Sequence, residues 1–367
     1  MSLFLFTCAD PSPLSRVGKS LFSQQTHMEL LVSELNEADQ QRIFKTPTGE
    51  FHPIDQWSGV TFNADGQLRG IEWRHIVKHN GSLNLQWLPI SVHVLSLAGF
   101  RWNSTIALKE LPPALLNLSI PSSKVVGSLH LEDLPESLEC INLSRNALSG
   151  TISLSNLPPR LIMCNLWKNA LEGFLDLTRL PPAMRTLDVS GNVFHGNIDL
   201  SRLPASLRQL YIQGNKLSGE ISLACLPRGL QVLSASANSF SGTVDFTGLP
   251  HSLVGLFLDS NSFCGTVNLQ AFPKMLQNLS LQSNRFIGKI LVANIPNGMH
   301  TINLQDNCFE GDVCIASIPE NFQAIVVDAW EDMEIRCIDG EICKDRRVAR
   351  NWQYRPRTDG AESRARR

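Results

Sequence analysis

The chain is poor in the groups that most chemistry needs. Only 18% of its 367 residues are charged and 7% are aromatic, with two tyrosines in all. It contains no Gly-x-Ser-x-Gly elbow, no phosphate-binding glycine loop followed by Lys-Ser/Thr, and no His-Glu-x-x-His. Those absences remove the common signatures of hydrolases, nucleotide-hydrolysing folds and zinc proteases. No cysteine pair has the two-to-four-residue spacing of a zinc site at the C-terminal end, where Cys308/Cys314 and Cys337/Cys343 are each separated by five residues. His75 and His79 share an irregular stretch without a helical frame, so no metal or cofactor is expected. No run of 18 apolar residues occurs, which argues against a membrane-spanning helix. The first residues, Met1 to Ala9, are apolar but brief and carry no basic group, which favours an unprocessed leader. A hydrophobic content of 43% with so little charge describes a folded chain.

What is present is a ruler. Leu-Pro, Phe-Pro or Ile-Pro begins at residues 88, 111, 134, 157, 180, 203, 226, 249, 272, 295 and 318, a constant period of 23 with no insertion. One copy reads Leu203-Pro204-Ala205-Ser206-Leu207, then Leu210, Ile212, Asn215, Leu217, Gly219, Ile221 and Leu223. A fixed period of this size built on L-x-x-L-x-L-x-x-N is the pattern of a leucine-rich-repeat solenoid, mainly β in class. Within each copy, Leu-x-Leu (Leu256-Phe257-Leu258) predicts one strand of a long parallel, concave sheet. Gly-x-Ile-x-Leu (Gly219 to Leu223) predicts a second short strand on the convex side, because 23 residues with proline at each boundary leave no room for a full helix. Asn146, Asn169, Asn192, Asn215, Asn238, Asn261, Asn284 and Asn307 form a ladder whose amides should turn inward to satisfy backbone groups. Phe100 and Ser123 interrupt it.

A solenoid exposes its core at both ends, so the flanks should be caps. Thr26-x-x-Glu29 is a capping box, predicting a helix that carries Met28, Leu31, Leu35 and Ile43 on one face and stops before Pro47. Trp57–Phe62 and Gln67–Trp73, alternating across Asp65-Gly66, predict a hairpin. The expected division is a flexible leader (1–25), an N-terminal cap with a degenerate first coil (26–87), ten repeats (88–319), a C-terminal cap (320–343) and a basic disordered tail (344–367). The tail holds nine Lys/Arg against three acids, a formal +6, and leaves about −8 on the rest of a chain whose total is −2.

Cys164 takes an inward leucine position, whereas Cys140, Cys225 and Cys264 fall at unrelated phases and show no pairing pattern. Of the sequons at Asn80, Asn103, Asn117, Asn142 and Asn278, the last three lie on predicted concave strands, where a glycan would obstruct the sheet. Both observations favour an intracellular, cytoplasmic setting, with secretion as the alternative.

The repeat resembles the leucine-rich-repeat subclass with a central glycine found in plant receptors. Its Leu-Pro-x-x-Leu opening is also similar to repeat proteins abundant in kinetoplastid protists. Trp57-x-Gly59-Val60-Thr61 resembles the plant N-terminal cap, in which a cysteine commonly follows; Phe62 stands there instead, which removes the cap disulfide. The resemblance covers residues 27–343 and implies a curved solenoid that binds other macromolecules.

Outward concave positions alternate with the buried leucines. The central row reads Ser96, Ser119, Asn142, Asn165, Asp188, Tyr211, Ser234, Phe257, Ser280 and Asn303, with Met163, Trp167, Gln209, Gln213, Asp259 and Gln305 beside it. Most are small or neutral. Trp167, Tyr211 and Phe257 are not required by the core and stand in alternate repeats, so they are the candidate anchors for a protein partner, with Met163, Asn165, Asp188, Gln209 and Gln213 around them. The expected function is therefore a non-enzymatic scaffold or adaptor. Two alternatives accompany it. One is a subunit of a ribonucleoprotein or other large assembly, held through Arg346, Arg347, Arg350, Arg355 and Arg357 among Trp352 and Tyr354 of the tail. The other is a secreted or surface receptor.

Overall fold

A computed structural model describes residues 21–270, 272–315, 318–328, 335–337 and 348–351. They belong to two compact units, one spanning the N-terminal part to Gly127 with Asp133–Ala147, the other Ser128–Glu132 with the chain from Leu148 onward. Among the described residues no helix is long and apolar enough to cross a membrane.

The first unit opens with two helices, not the single one expected. Helix α1 (Gln24–Leu31) is capped by Ser23, whose Oγ accepts from the Thr26 amide at 3.1 Å. Helix α2 (Glu37–Ile43) is capped by Asn36, whose Oδ1 accepts from the Ala38 amide at 3.0 Å. Asn36 followed by Glu37 and Asp39 is a second helix start of its own, with acids in the first turn, and it interrupts the apolar stripe that Met28, Leu31 and Leu35 still bury. The hairpin forms as expected: Val60–Phe62 pairs antiparallel with Leu68–Arg74, and Asn63 Oδ1 closes its turn by accepting from the Asp65 and Gln67 amides. Phe44, Trp57 and Trp73 pack beneath it, and both indole N–H groups donate to backbone carbonyls, of His52 and Ser58, at 2.9 Å. Leu68–Arg74 then pairs in parallel with Val94–Ala98 at an offset of 24 residues, and Asn117–Ser119 and Cys140–Asn142 follow at offsets of 23. The convex side here carries 3-10 turns, Leu85–Trp87 and Leu108–Glu110, and one short strand, Val126–Gly127.

Ser123 does not break the ladder; it substitutes for asparagine. Its Oγ accepts from the Phe100 amide of the preceding coil at 3.2 Å and donates to carbonyls of Leu97 and Pro121, while Phe100 fills the core at 1% exposure.

In the second unit a front sheet runs through Met163–Asn165, Thr186–Asp188, Gln209–Tyr211, Val232–Ser234, Gly255–Phe257, Asn278–Ser280, Thr301–Asn303, Ala324–Asp328 and Val348–Asn351, all parallel and in chain order. A rear parallel sheet runs from Ala170–Gly173 through the equivalent strands to Arg285–Val292, Cys308–Ile315 and Ile335–Cys337. Between the sheets the apolar positions stack. Phe240, Phe263, Phe286 and Phe309 form a column with ring planes within 14° and centroids 6.1 to 6.4 Å apart. Val348–Asn351 is a correction to the basic tail: these residues extend the front sheet, so the backbone of Arg350 lies in a strand. Arg346, Arg347, Arg355 and Arg357 lie outside the described residues.

From Gly127 to Gly311 each rear strand carries a glycine with φ between 75° and 92°, and an outward side chain of the previous coil lies beside it. A Cβ on Gly265 (φ +82°) would meet Thr243 Cγ2 at 2.8 Å, whereas one on Gly150 (φ +78°) would meet nothing closer than 3.9 Å. Gly150→Ala should therefore cost about 1–2 kcal/mol of left-handed strain alone. Gly265→Ala should cost measurably more in a urea melt, and equal losses would contradict the steric part of this account.

Candidate partner-binding face

The outward face of the front sheet in the second unit is built from three columns. The 23-residue register places Met163, Thr186, Gln209, Val232 and Gly255 in the first, and Asn165, Asp188, Tyr211, Ser234 and Phe257 in the second. Two residues further along, Trp167, Ser190, Gln213, Ser236 and Asp259 make the third, just past the strand ends. The leucines between them are buried, which leaves these side chains mostly half-exposed. All eight residues expected from the sequence therefore stand on one face, on strands about 4.8 Å apart.

Their roles differ. Asn165 and Asp188 are partly structural: the Oδ1 of each accepts from the backbone amide two residues on, Trp167 or Ser190, at 3.0 Å, and shapes the turn there. Ser190, 1% exposed, also donates its hydroxyl to Asp188. Gln209 accepts from Thr186 Oγ1 at 3.3 Å. The Gln213 Oε1 is covered yet has no hydrogen-bond donor. Burial pushes the Asp188 carboxyl above the usual carboxylate range, against the pull of its bonds to Ser190. Burial, then the neighbouring Asp188, likewise raises the Tyr211 phenol. Cys164, beneath the face, is driven to about 12 by burial and then by Asp188, so it is an inert thiol.

Two glycines missing from the sequence-based selection make the face possible. The turn after each strand needs a left-handed residue, which is Lys168, Gly191, Gly214, Ala237, Ser260, Ser283 and Asp306 in turn, with φ between 51° and 66°. A Cβ on Gly191 would lie 3.5 Å from Trp167 Cδ1, so the indole rests over that bare position. The Phe257 ring folds back over Gly255 in the same way, 2.7 Å from where its Cβ would be. A break in the αL series to Gly191 and Gly214 beside the outward Trp167 was the available signal.

No protein-family model and no curated protein matches the chain. Solved structures do. A plant ice-binding protein superposes with a TM-score of 0.57 at 19% identity, over 75% of this chain and 89% of that one. The Arabidopsis receptor kinase HAESA, in complex with a peptide hormone and a co-receptor, superposes with a TM-score of 0.50 at 20% identity, over 73% of this chain and 57% of its own. This is the leucine-rich-repeat fold. The chain thus spans nearly the full length of the first neighbour and a little over half of the second. At such identities the likeness is one of architecture, so the leucine-rich-repeat scaffold is common ground while the side chains on its face are this protein's own.

Elsewhere on the leucine-rich repeats, no group of three or more His, Cys, Asp or Glu among the described residues could hold a metal ion. His79 is engaged with Asp39, its Nδ1 3.1 Å from the carboxylate. Cys308 and Cys314 are free thiols, Cys337 lies on the strand beside Val313–Ile315, and Cys343 falls outside the described residues. Asn142 and Asn278 are half-buried strand residues whose side chains are already hydrogen-bonded, whereas Asn80 and Asn103 are exposed.

Proposed function

We propose that the protein is a non-enzymatic binding scaffold that docks a protein partner on the front face of its second unit. The observation that carries this is the set Trp167, Tyr211 and Phe257, three aromatic side chains left half-exposed on a surface made otherwise mainly of small and polar residues. Large rigid rings in such a setting supply contact area at little conformational cost, and they are the residues on which interfaces concentrate their energy. Met163, Asn165, Asp188, Gln209 and Gln213 surround the anchors as a polar and adaptable rim. The intracellular setting is part of this proposal and rests on the missing cap cysteine at Phe62 and on the strand-borne sequons.

The test is capture from native cells of the species that supplies the gene, comparing the wild-type chain with Trp167→Ala/Tyr211→Ala/Phe257→Ala. Loss of at least nine-tenths of one reproducible partner, with the melting profile of the triple variant unchanged, is the expected result. Retention of every partner at wild-type yield would exclude this face. Capture repeated with nuclease distinguishes a protein partner from an assembly bridged by RNA.

A further inference from the structure

Around Asp188 the face has a specific chemical preference. The register sets Asp188 between Asn165 and Tyr211 in one column, and Ser190 between Trp167 and Gln213 in the next. Asp188 is thus the single charge inside a six-residue grid with an indole and a phenol at its corners. One carboxylate oxygen is used by Ser190, whose amide and hydroxyl both donate to Oδ1. Among the described residues no ion pair reaches Asp188: the Arg208 guanidinium donates instead to the carbonyls of Ala205 and Leu207, and Arg185 makes no ion pair with it. Gln213 keeps a covered carbonyl oxygen without a donor. Such an unpaired acceptor is a free-energy cost that a rotation onto an incoming donor would recover.

We propose that this grid receives an arginine side chain of the protein partner, stacked against Trp167 and Tyr211 and donating to the free oxygen of Asp188. The inference rests on the docking face described above and names its chemistry. A half-buried carboxylate with no counter-charge favours a cation, and two aromatic faces favour a planar one. Acceptors on two adjacent coils suit the forked donors of a guanidinium better than the single point of an ammonium. The sheet also belongs to a body with a formal negative excess, so a basic partner segment meets no general repulsion.

The test uses the full chain and three small probes: N-acetyl-arginine amide, its neutral isostere N-acetyl-citrulline amide, and N-acetyl-lysine amide, titrated by saturation-transfer NMR at low salt. The arginine probe is expected to bind at least tenfold tighter than the citrulline probe and tighter than the lysine probe. Asp188→Asn, which keeps the acceptor for Ser190, should erase the preference for charge. Trp167→Ala should weaken the arginine probe severalfold. Glu220→Gln, at an exposed acid just past the rear strand Lys216–Gly219, should change nothing. Equal binding of arginine and citrulline probes, an unaltered Asp188→Asn variant, or an equal loss in Glu220→Gln would overturn the proposal, the last by showing only bulk charge. A lysine probe that binds best would overturn the choice of arginine. If the probes show no preference while the triple alanine variant still loses its partner, the docking face stands and this chemistry falls. Asp188→Asn is also expected to hold or raise the urea midpoint, because a carboxylate without a counter-charge is a liability to folding; a clear drop would assign Asp188 a structural role instead.

Discussion

Asn284→Ala is expected to lower stability by about 3 kcal/mol, although the side chain touches no partner and carries no charge. The amide is 8% exposed. Its Nδ2 donates to the carbonyl of Leu258, 26 residues earlier and one coil below, at 3.0 Å, and to those of Leu281 and Gln282 in its own turn. Its Oδ1 accepts from the amide of Phe263, again in the preceding coil, at 3.0 Å. Alanine leaves at least one backbone donor and one acceptor buried without partners, and each such group costs about 1–3 kcal/mol. The same four contacts recur at Asn192, with Leu166, Val189 and Ser190 as acceptors and the Leu171 amide as donor. Asn192→Ala should therefore behave alike. Asn284→Ser is the informative companion. Ser123 shows that a hydroxyl can serve this position, but with shorter reach and a single donor. Serine should recover part of the loss, and a serine variant no better than alanine in urea melts would show that the bonds to the preceding coil need the full amide. Because neighbouring coils share these bonds, the midpoint and its slope should both be followed; a shallower transition would signal that cooperativity between coils has been cut.

Asp39 is expected to make the first unit sensitive to acid. The carboxylate is 1% exposed at the N-terminal end of helix α2. Burial alone would raise its pKa, but donors from Arg42 at 2.7 Å, from the amides of Lys78 and His79 and from the His79 ring outweigh it and hold the group at about 2. A folded-state value below the ordinary 3.8 means that the ionised form is the one the fold prefers. The stability it confers is fully present above pH 4 and is lost as pH falls through about 2, an amount on the order of 2 kcal/mol. Asp39→Asn should remove that dependence between pH 4 and 2. At neutral pH it should also destabilise the helix-and-hairpin cap, because an amide nitrogen would face the Lys78 and His79 backbone donors. The check is a thermal melt series on both proteins, read by near-ultraviolet circular dichroism; the cap's buried Trp57 and Trp73 contribute to that signal. Parallel pH profiles for wild type and Asp39→Asn would refute this assignment. The irregular segment after Trp73, where the 23-residue ruler is out of step, is thus held by side-chain chemistry in place of repeat packing.

The sequence by itself determined whatever repeats. A period of 23 dictates which residues stack on which, and with it the parallel register, the buried leucines, the asparagine ladder and the outward row that bears Trp167, Tyr211 and Phe257. A strand period of two and a fixed coil length leave those positions no other face to occupy. The hairpin was legible too, since Asn63-Ala64-Asp65-Gly66 is a turn whose geometry is local. What only the tertiary structure decided is where that periodicity fails or where a group's partner lies in another coil. The Thr26-x-x-Glu29 pattern marks a single helix start, whereas Ser23 and Asn36 each cap a helix, and Asp39 of α2 ties the second one to the first coil through Lys78 and His79. Ser123 looked like a gap in the ladder until the Phe100 amide was placed beside it. Val348–Asn351 has no repeat signature, yet an open strand edge at Ala324–Asp328 supplies backbone partners that outweigh its basic composition. Asp188 read as one polar residue in a row of ten; its lack of a counter-charge, between an indole and a phenol from adjoining coils, exists only once the coils are stacked.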